Sequence, residues 1–247
     1  MSTENECIGK RVLVTGGAVR VGRAITLALA EAGCEVCVHY GQSVASAREV
    51  KQQVEEMGGR VELIGADLSE PDAVPAIVDH AVDTLGGIDV LVNSAAIFLE
   101  GNMAETTAEM WDAQFAINLR APFFLCQAFA QQFQAESGGH IINIVDARLN
   151  QPAADHAAYR LTKSGLLTLT HNLAIELAPR IQVNALALGA ILPPPGKGQD
   201  HLDRIANERV PLKRGGSAEI VAENVRHLLR SPFTTGAVIP LDGGEFL

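Results

Sequence analysis

The chain has 247 residues, 47% of them hydrophobic but only 4% aromatic, and a formal net charge of −10. That charge excludes broad attraction to nucleic acid or to an anionic membrane surface, although a local basic pocket for one phosphate is still allowed. The apolar fraction excludes disorder, and an interior of Val, Ile, Leu and Ala suits a parallel sheet buried on both faces.

The opening MSTENECIGK is polar and has no apolar targeting core, and no later stretch approaches the ~18 uninterrupted apolar residues of a membrane span. A cytoplasmic protein is expected, with a small molecule as partner and neither nucleic acid nor membrane. From there short apolar runs alternate with helix-length segments. RVLVTG, CEVCVHY, RVELIGADL, IDVLVNSAA, HIINIVDA, IQVNALALG and AVIPLDGG read as strands. Helices are expected from Gly22 to Gly33, Ser43 to Met57, Pro71 to Leu85, Thr107 to Phe133, Ala157 to Leu177 and Ser217 to Leu229. Parallel neighbours need a crossover, so the repeat specifies one domain over residues 1–247. Its class is α/β, a doubly wound Rossmann-type sheet of about seven parallel strands with helices on both faces.

The first strand runs into TGGAVRVG, from Thr15 to Gly22, and a helix follows at once. Gly16, Gly17 and Gly22 let this backbone turn tightly and approach a pyrophosphate at the helix N-terminus. The second strand ends in His39 and Tyr40, then Gly41, Gln42 and Ser43, with no carboxylate to hold a ribose 2′-hydroxyl. Arg20, His39 and Ser43 are candidate donors to a 2′-phosphate, which favours NADPH over NADH; His39 reads equally as a packed strand-end imidazole. CxxC at Cys34 and Cys37 straddles the start of this strand, where an odd offset sends the two thiols to opposite faces, and no second pair completes a metal site. With Cys7 and Cys126 these are read as buried thiols, and no metal is expected.

Asp67 ends the third strand, where its carboxylate can accept from an adenine amino group; Ser69, ahead of Pro71, is the better cap for the next helix. Asn93 ends the fourth strand, with Ala95 leaving room for the cofactor. Val21, Leu68, Gly189 and Ile191, beside these strand ends, are assigned to the same cofactor. YRLTK then places Tyr159 and Lys163 four apart on one helix face, where an ammonium would favour the phenolate and lower the tyrosine pKa. Taken alone, that pair reads as ordinary exposed helix surface, since YxxxK is common by chance. Leu166, Leu169, Leu173 and Leu177 continue the helix as an apolar stripe facing the core or a second subunit. Past the sixth strand, GAILPPPGKGQDH is irregular: Pro193, Pro194 and Pro195 forbid helix and sheet, and a substrate loop is expected over about 189–210.

As a set, TGxxxxxG, Asn93, Asn118 within a helix, YxxxK and the closing LDGG resemble the short-chain dehydrogenase/reductase family over essentially the whole chain. The resemblance implies a seven-stranded Rossmann sheet, a homotetramer, Asn118 holding a water in a proton relay, Tyr159 as catalytic acid and Lys163 on the nicotinamide ribose. Asp146 stands where that family has a serine, thirteen residues before the tyrosine. An anion there would raise the tyrosine pKa, yet it suits a ring that presents N–H donors. The pteridine reductase branch resembles this chain on that point. It also shares Arg20 in TGxxxRxG, HYxxS at His39, Tyr40 and Ser43, VDA at Val145, Asp146 and Ala147, and NQP at Asn150, Gln151 and Pro152. Phe98 matches the branch's pterin-stacking phenylalanine, although alone it reads equally as an ordinary core residue. The resemblance thus implies a pterin-like substrate on Arg20, Phe98, Asp146 and Tyr159. Ser94, Ala96 and Leu188 depart from the family pattern. A 3-oxoacyl thioester or other ketone is the alternative substrate, and a non-catalytic NADPH-binding sensor the alternative of another class.

Overall fold

The computed structural model describes residues 7–133, 138–194 and 196–247. Residues 1–6 of the polar start and Pro195 of the proline run lie outside them, as does the side chain of Asn150. Seven parallel strands form one sheet: β1 (Arg11–Thr15), β2 (Glu35–Tyr40), β3 (Val61–Gly65), β4 (Val90–Asn93), β5 (Gly139–Asp146), β6 (Ile181–Leu188) and β7 (Val238–Leu241). Their order is β3-β2-β1-β4-β5-β6-β7. The chain winds outward from β1 in one direction and from β4 in the other, so the switch point lies between them. There Thr15 pairs in register with Asn93, and ligands of such sheets enter beyond the carboxyl ends of these strands.

The helices are α1 (Arg20–Glu31), α2 (Val44–Glu56), α3 (Ala73–Leu85), α4 (Ala108–Phe115), α5 (Ala121–Gln132), α6 (Ala157–Glu176), α7 (Gln199–Arg209) and α8 (Ala218–Leu229). One apolar layer, including Val12, Val14, Ile25, Val36, Val38 and Val225, fills one side of the sheet. A second, including Leu13, Cys37, Ile77, Leu91, Leu125 and Phe129, fills the other. Cys34 joins the first layer and Cys37 the second, as their odd spacing requires. Each fully buried aliphatic side chain stabilises the fold by about 1.5–3 kcal/mol. At the sheet end remote from the switch-point cleft, Arg11 grips Asp89 through Nε (2.9 Å) and Nη2 (2.7 Å), tying β1 to the entry of β4. No helix among the described residues is long and apolar enough to cross a membrane.

Three local readings change. The expected helix from Thr107 to Phe133 is interrupted by a π-helical turn, Ala116–Arg120. Pro122 explains it: lacking an N–H, it withdraws the α-helical donor from the Asn118 carbonyl, and Ala121 N–H donates instead to the Ala116 carbonyl five residues back. Ser69 does not cap α3; Asp67 Oδ1 accepts from both its N–H (2.8 Å) and its Oγ (2.7 Å), closing a turn of their own. The expected substrate loop is also less irregular than its prolines suggest. Its second half is α7, whose Leu202 and Ala206 are buried with Val210 just beyond. That apolar spacing was present in the sequence. The stripe on α6 divides: Leu166 is fully buried, while Leu169, Leu173 and Leu177 pack part-buried against the core.

Candidate active site

A cavity of about 310 Å³ opens at the carboxyl ends of the central strands. It brings together Gly16, Arg20, Val21, Gly22, Ala95, Asp146, Tyr159, Lys163, Gly189 and Ile191, residues from five separate stretches of chain. Ser94, Ala96 and Leu188, the three departures from the family pattern, line it too. Its floor is the loop between β1 and α1. Gly16 has φ +63° and lies so close to Ala95 that a Cβ would stand 2.9 Å from the Ala95 Cα; at Gly22 a Cβ would stand 2.2 Å from the Gly16 carbonyl oxygen. Only glycine keeps this turn closed. Thr15 braces it, its Oγ1 accepting from the N–H groups of Ser94 (3.1 Å) and Ala95 (3.2 Å).

Arg20 has a left-handed backbone (φ +52°), and its exposed guanidinium donates to the Pro193 carbonyl at 2.8 Å. It therefore clasps the loop that follows β6 across the cavity mouth. His39 is placed differently from the phosphate donor considered above. The ring is 2% exposed, its Nδ1 accepts from Gly16 N–H (3.3 Å), and its Nε2–H donates to the Ala66 carbonyl (3.0 Å). Burial holds its pKa below the ordinary value. It is a neutral brace beneath the glycine loop, with no donor left for a phosphate. Tyr40 lies half-buried against Gly65, and the Ser43 hydroxyl makes no capping bond to α2. Asp67 is exposed at the β3 end with Oδ2 clear of its turn, and Ser69 holds its pKa below the usual carboxylate range. Leu68 sends its side chain into the core, so only its backbone is left for a ligand.

Asn93 and Asn118 are both buried; the Asn118 amide is engaged through both atoms and that of Asn93 through Nδ2 alone, its Oδ1 having no partner among the described residues. Asn93 Nδ2 donates to Asn143 Oδ1 (2.8 Å), and Asn143 Nδ2 to Thr170 Oγ1 (2.9 Å), linking β4, β5 and α6 beneath the cavity. Asn118 clamps the Ile97 backbone, Oδ1 accepting from its N–H (2.8 Å) and Nδ2 donating to its carbonyl (2.9 Å). A water held at Asn118 therefore needs the main-chain carbonyl, the one whose α-helical donor Pro122 lacks. Neither the clamp nor the π turn was read from the sequence, although Pro122 signalled the second.

The electrostatics at Tyr159 reverse one expectation. Its pKa is raised above the ordinary phenol value by burial, then by the Asp146 carboxylate, with Arg148 opposing. The expected lowering by Lys163 is absent because the ammonium is 5.9 Å from the ring centroid and donates to the Ile144 carbonyl (2.9 Å). Full burial brings Lys163 itself down to about 8, against the pull of Asp146. The raising by Asp146 agrees with the sign read from its charge. Asp146 Oδ1 also accepts from Arg148 N–H (2.7 Å), capping the 3-10 turn Ala147–Asn150, while Oδ2 remains for a ligand. Tyr159 is thereby held as a phenol, a proton donor. Phe98 is 40% exposed and meets Tyr159 at near right angles, 4.7 Å between centroids. Sequence reasoning missed Arg148, whose role follows from a turn that brings its guanidinium near Tyr159.

Residues 17–245 match the family described as Enoyl-(Acyl carrier protein) reductase. The chain is 34% identical to L-xylulose reductase of Mus musculus over 244 residues, 96% of each chain. It is 34% identical to the 3-oxoacyl-[acyl-carrier-protein] reductase FabG of Staphylococcus epidermidis over 247 residues, 97% of this chain and 100% of that one. Among solved structures it superposes on FolM alternative dihydrofolate reductase 1 from Brucella canis complexed with NADP at TM-score 0.92, with 33% identity and coverage of 99% and 96%. A short chain dehydrogenase from Burkholderia cenocepacia in complex with NADP gives TM-score 0.92 at 33% identity, covering 98% and 100%. Fold, cavity and relatives agree: the chain belongs to the short-chain dehydrogenase/reductase family of NAD(P)-dependent oxidoreductases.

Proposed function

We propose that this protein is an NADPH-dependent reductase of a C=N bond in a pterin or dihydropterin-like ring. The observation that carries the proposal is the contact of Phe98 with Tyr159, whose cavity Asp146 also lines at the position where the family carries serine. Phe98 supplies a flat apolar surface for a heteroaromatic ring, and the free Asp146 oxygen accepts from ring N–H or amino donors. Tyr159, kept protonated by burial and by Asp146, delivers the proton to the ring nitrogen beside the reduced carbon. A water held at the Asn118 carbonyl replenishes it.

The residues present fit the cofactor. Gly16 and Gly22 keep the turn between β1 and α1 closed, since a Cβ on either would strike neighbouring backbone, β2 ends without a carboxylate, and Arg20 and Ser43 are the proposed donors to the 2′-phosphate. Bound there, NADPH supplies the hydride. Thr15, Val21, Tyr40, Leu68, Asn93, Ala95, Gly189 and Ile191 complete its proposed surroundings, with Asp67 at the adenine and Lys163 at the ribose. His39 serves from beneath, through Gly16. Arg20, clasped to Pro193, joins the cofactor side to the substrate loop over about 189–210.

Support for a pterin also comes from the FolM structure, and support for a ketone from the xylulose and 3-oxoacyl reductases. Asp146 favours the pterin, because an oxyanion forming from a ketone requires a donor and not a carboxylate. The test is NADPH oxidation with dihydrobiopterin, dihydrofolate, L-xylulose and an acetoacetyl thioester offered separately. Turnover of pterins alone is expected; turnover confined to the ketones overturns the substrate. A homotetramer is proposed with this reading, supported by the exposed Phe123 and Phe124 beside Leu169 on the outer helices, and light scattering tests it.

A further inference from the structure

His156 sits immediately ahead of α6, three residues before Tyr159, and three features set it apart. Its backbone is left-handed, with φ +50° and ψ +44°. Its imidazole lies face to face on Phe98, with centroids 4.4 Å apart and planes 20° from parallel. Its Nε2 is buried with no hydrogen-bond partner among the described residues, while Nδ1 is 3.4 Å from the exposed Asp155 carboxylate.

A left-handed backbone costs a residue with a Cβ on the order of 1 kcal/mol or more, and such strain gathers at functional sites. Asparagine, aspartate and histidine tolerate it best, and of these only histidine carries a flat ring. An unsatisfied buried nitrogen adds a further cost, so the imidazole is not held there by hydrogen bonds of Nε2. What it does make is the stack. Phe98 stays 40% exposed even with this contact, on a segment with no regular structure, and without the stack would be free to rotate about its χ angles. With one face covered by His156 and Tyr159 set perpendicular to it, its plane is defined on two sides.

We propose that His156 is a positioning residue that fixes the plane of Phe98 against the substrate ring. This rests on Phe98 lying against the substrate, as proposed above. The ring acts through Phe98 and does not itself take part in proton or hydride transfer. Its place in the chain also explains how: the turn that starts α6 sets His156 and Tyr159 together, so the stacking surface and the proton donor are oriented by one helix end.

The experiment is a double-mutant cycle in the cofactor-loaded enzyme, using dihydrobiopterin or whichever substrate of the panel the wild type turns over fastest. His156→Asn keeps the left-handed backbone and removes the ring; His156→Phe keeps a ring and removes the nitrogens. His156→Asn is expected to raise KM about three- to tenfold, the worth of one aromatic pair, with NADPH affinity unchanged. In a Phe98→Leu background the same change is expected to leave KM where Phe98→Leu alone put it, because no ring remains to position. His156→Phe is expected to return KM to within about twofold of wild type. Losses that simply multiply in the cycle, with Phe98→Leu itself raising KM, overturn the positioning role and leave the substrate proposal standing. A wild-type KM in Phe98→Leu overturns the placement of Phe98 against the substrate, and this role with it.

Discussion

Replacing His39 by leucine separates its two readings. Leucine approximates the volume of the ring and leaves little cavity, but it removes the acceptor for Gly16 N–H and the donor to the Ala66 carbonyl. Each backbone group left unsatisfied at a buried site costs about 1–3 kcal/mol. The Gly16 contact is long at 3.3 Å, which places the sum at about 2–4 kcal/mol. In a domain of this size ~1 kcal/mol moves Tm by about 2–4 °C, so a fall of roughly 4–16 °C is expected. Loosening Gly16 weakens NADPH and NADH alike, because the ring braces the loop and touches no 2′-phosphate. Burial keeps the imidazole neutral near pH 7, so the NADPH-to-NADH preference of the wild type shows no step as pH falls through 6.5. Thermal melts give the first quantity and cofactor titrations by fluorescence the second. An unchanged Tm with a tenfold loss confined to NADPH would refute the brace and restore the phosphate contact.

His140, buried on β5, has its pKa brought down to about 4 from 6.5 by burial, with Lys10 adding to the shift. The unfolded chain therefore binds this proton first, and stability is lost as pH falls from about 6.5 toward 4, at up to ~1.4 kcal/mol per unit. His140→Leu is expected to narrow the urea-measured stability gap between pH 7 and pH 4.5 by about 2 kcal/mol; an unchanged gap counts against the burial argument. Asp146→Ser removes the anion that raises Tyr159, so the alkaline fall in kcat/KM is expected to move to lower pH. A limb that stays put or moves up contradicts that electrostatic assignment. Gly22→Ala sets a Cβ 2.2 Å from the Gly16 oxygen, and although alanine favours helix by ~1 kcal/mol, NADPH affinity is expected to fall at least tenfold with the circular-dichroism spectrum retained. Wild-type affinity in this variant would show that the loop does not cradle the cofactor.

The seven strands, the helices between them and the glycine loop were legible from the sequence because each rests on local physics. Apolar runs bounded by turns specify strands, crossover chirality orders parallel neighbours, and Thr107 and Ser217 cap α4 and α8 through their own hydroxyls. The Tyr159 and Lys163 pair was legible for the same reason, since spacing on a helix decides which side chains share a face. The sign of the Asp146 effect on Tyr159 followed from charge alone. The absence of a carboxylate after β2 was likewise plain in His39, Tyr40 and Ser43.

Other properties depend on what distant segments do. His39 became a brace because Ala66 and Gly16, 27 and 23 residues away, bring a carbonyl and an amide to its two nitrogens. Spacing placed Lys163 near Tyr159, but the Ile144 carbonyl claimed its ammonium, and burial and the Asp146 carboxylate raise the phenol instead. The stack of His156 on Phe98 joins residues 58 apart through a left-handed turn that no periodicity announces. Pattern determines where the backbone runs and which face a side chain takes. Desolvation and the choice of hydrogen-bond partner are set only when the segments meet, and here they raise the Tyr159 pKa and occupy both nitrogens of His39.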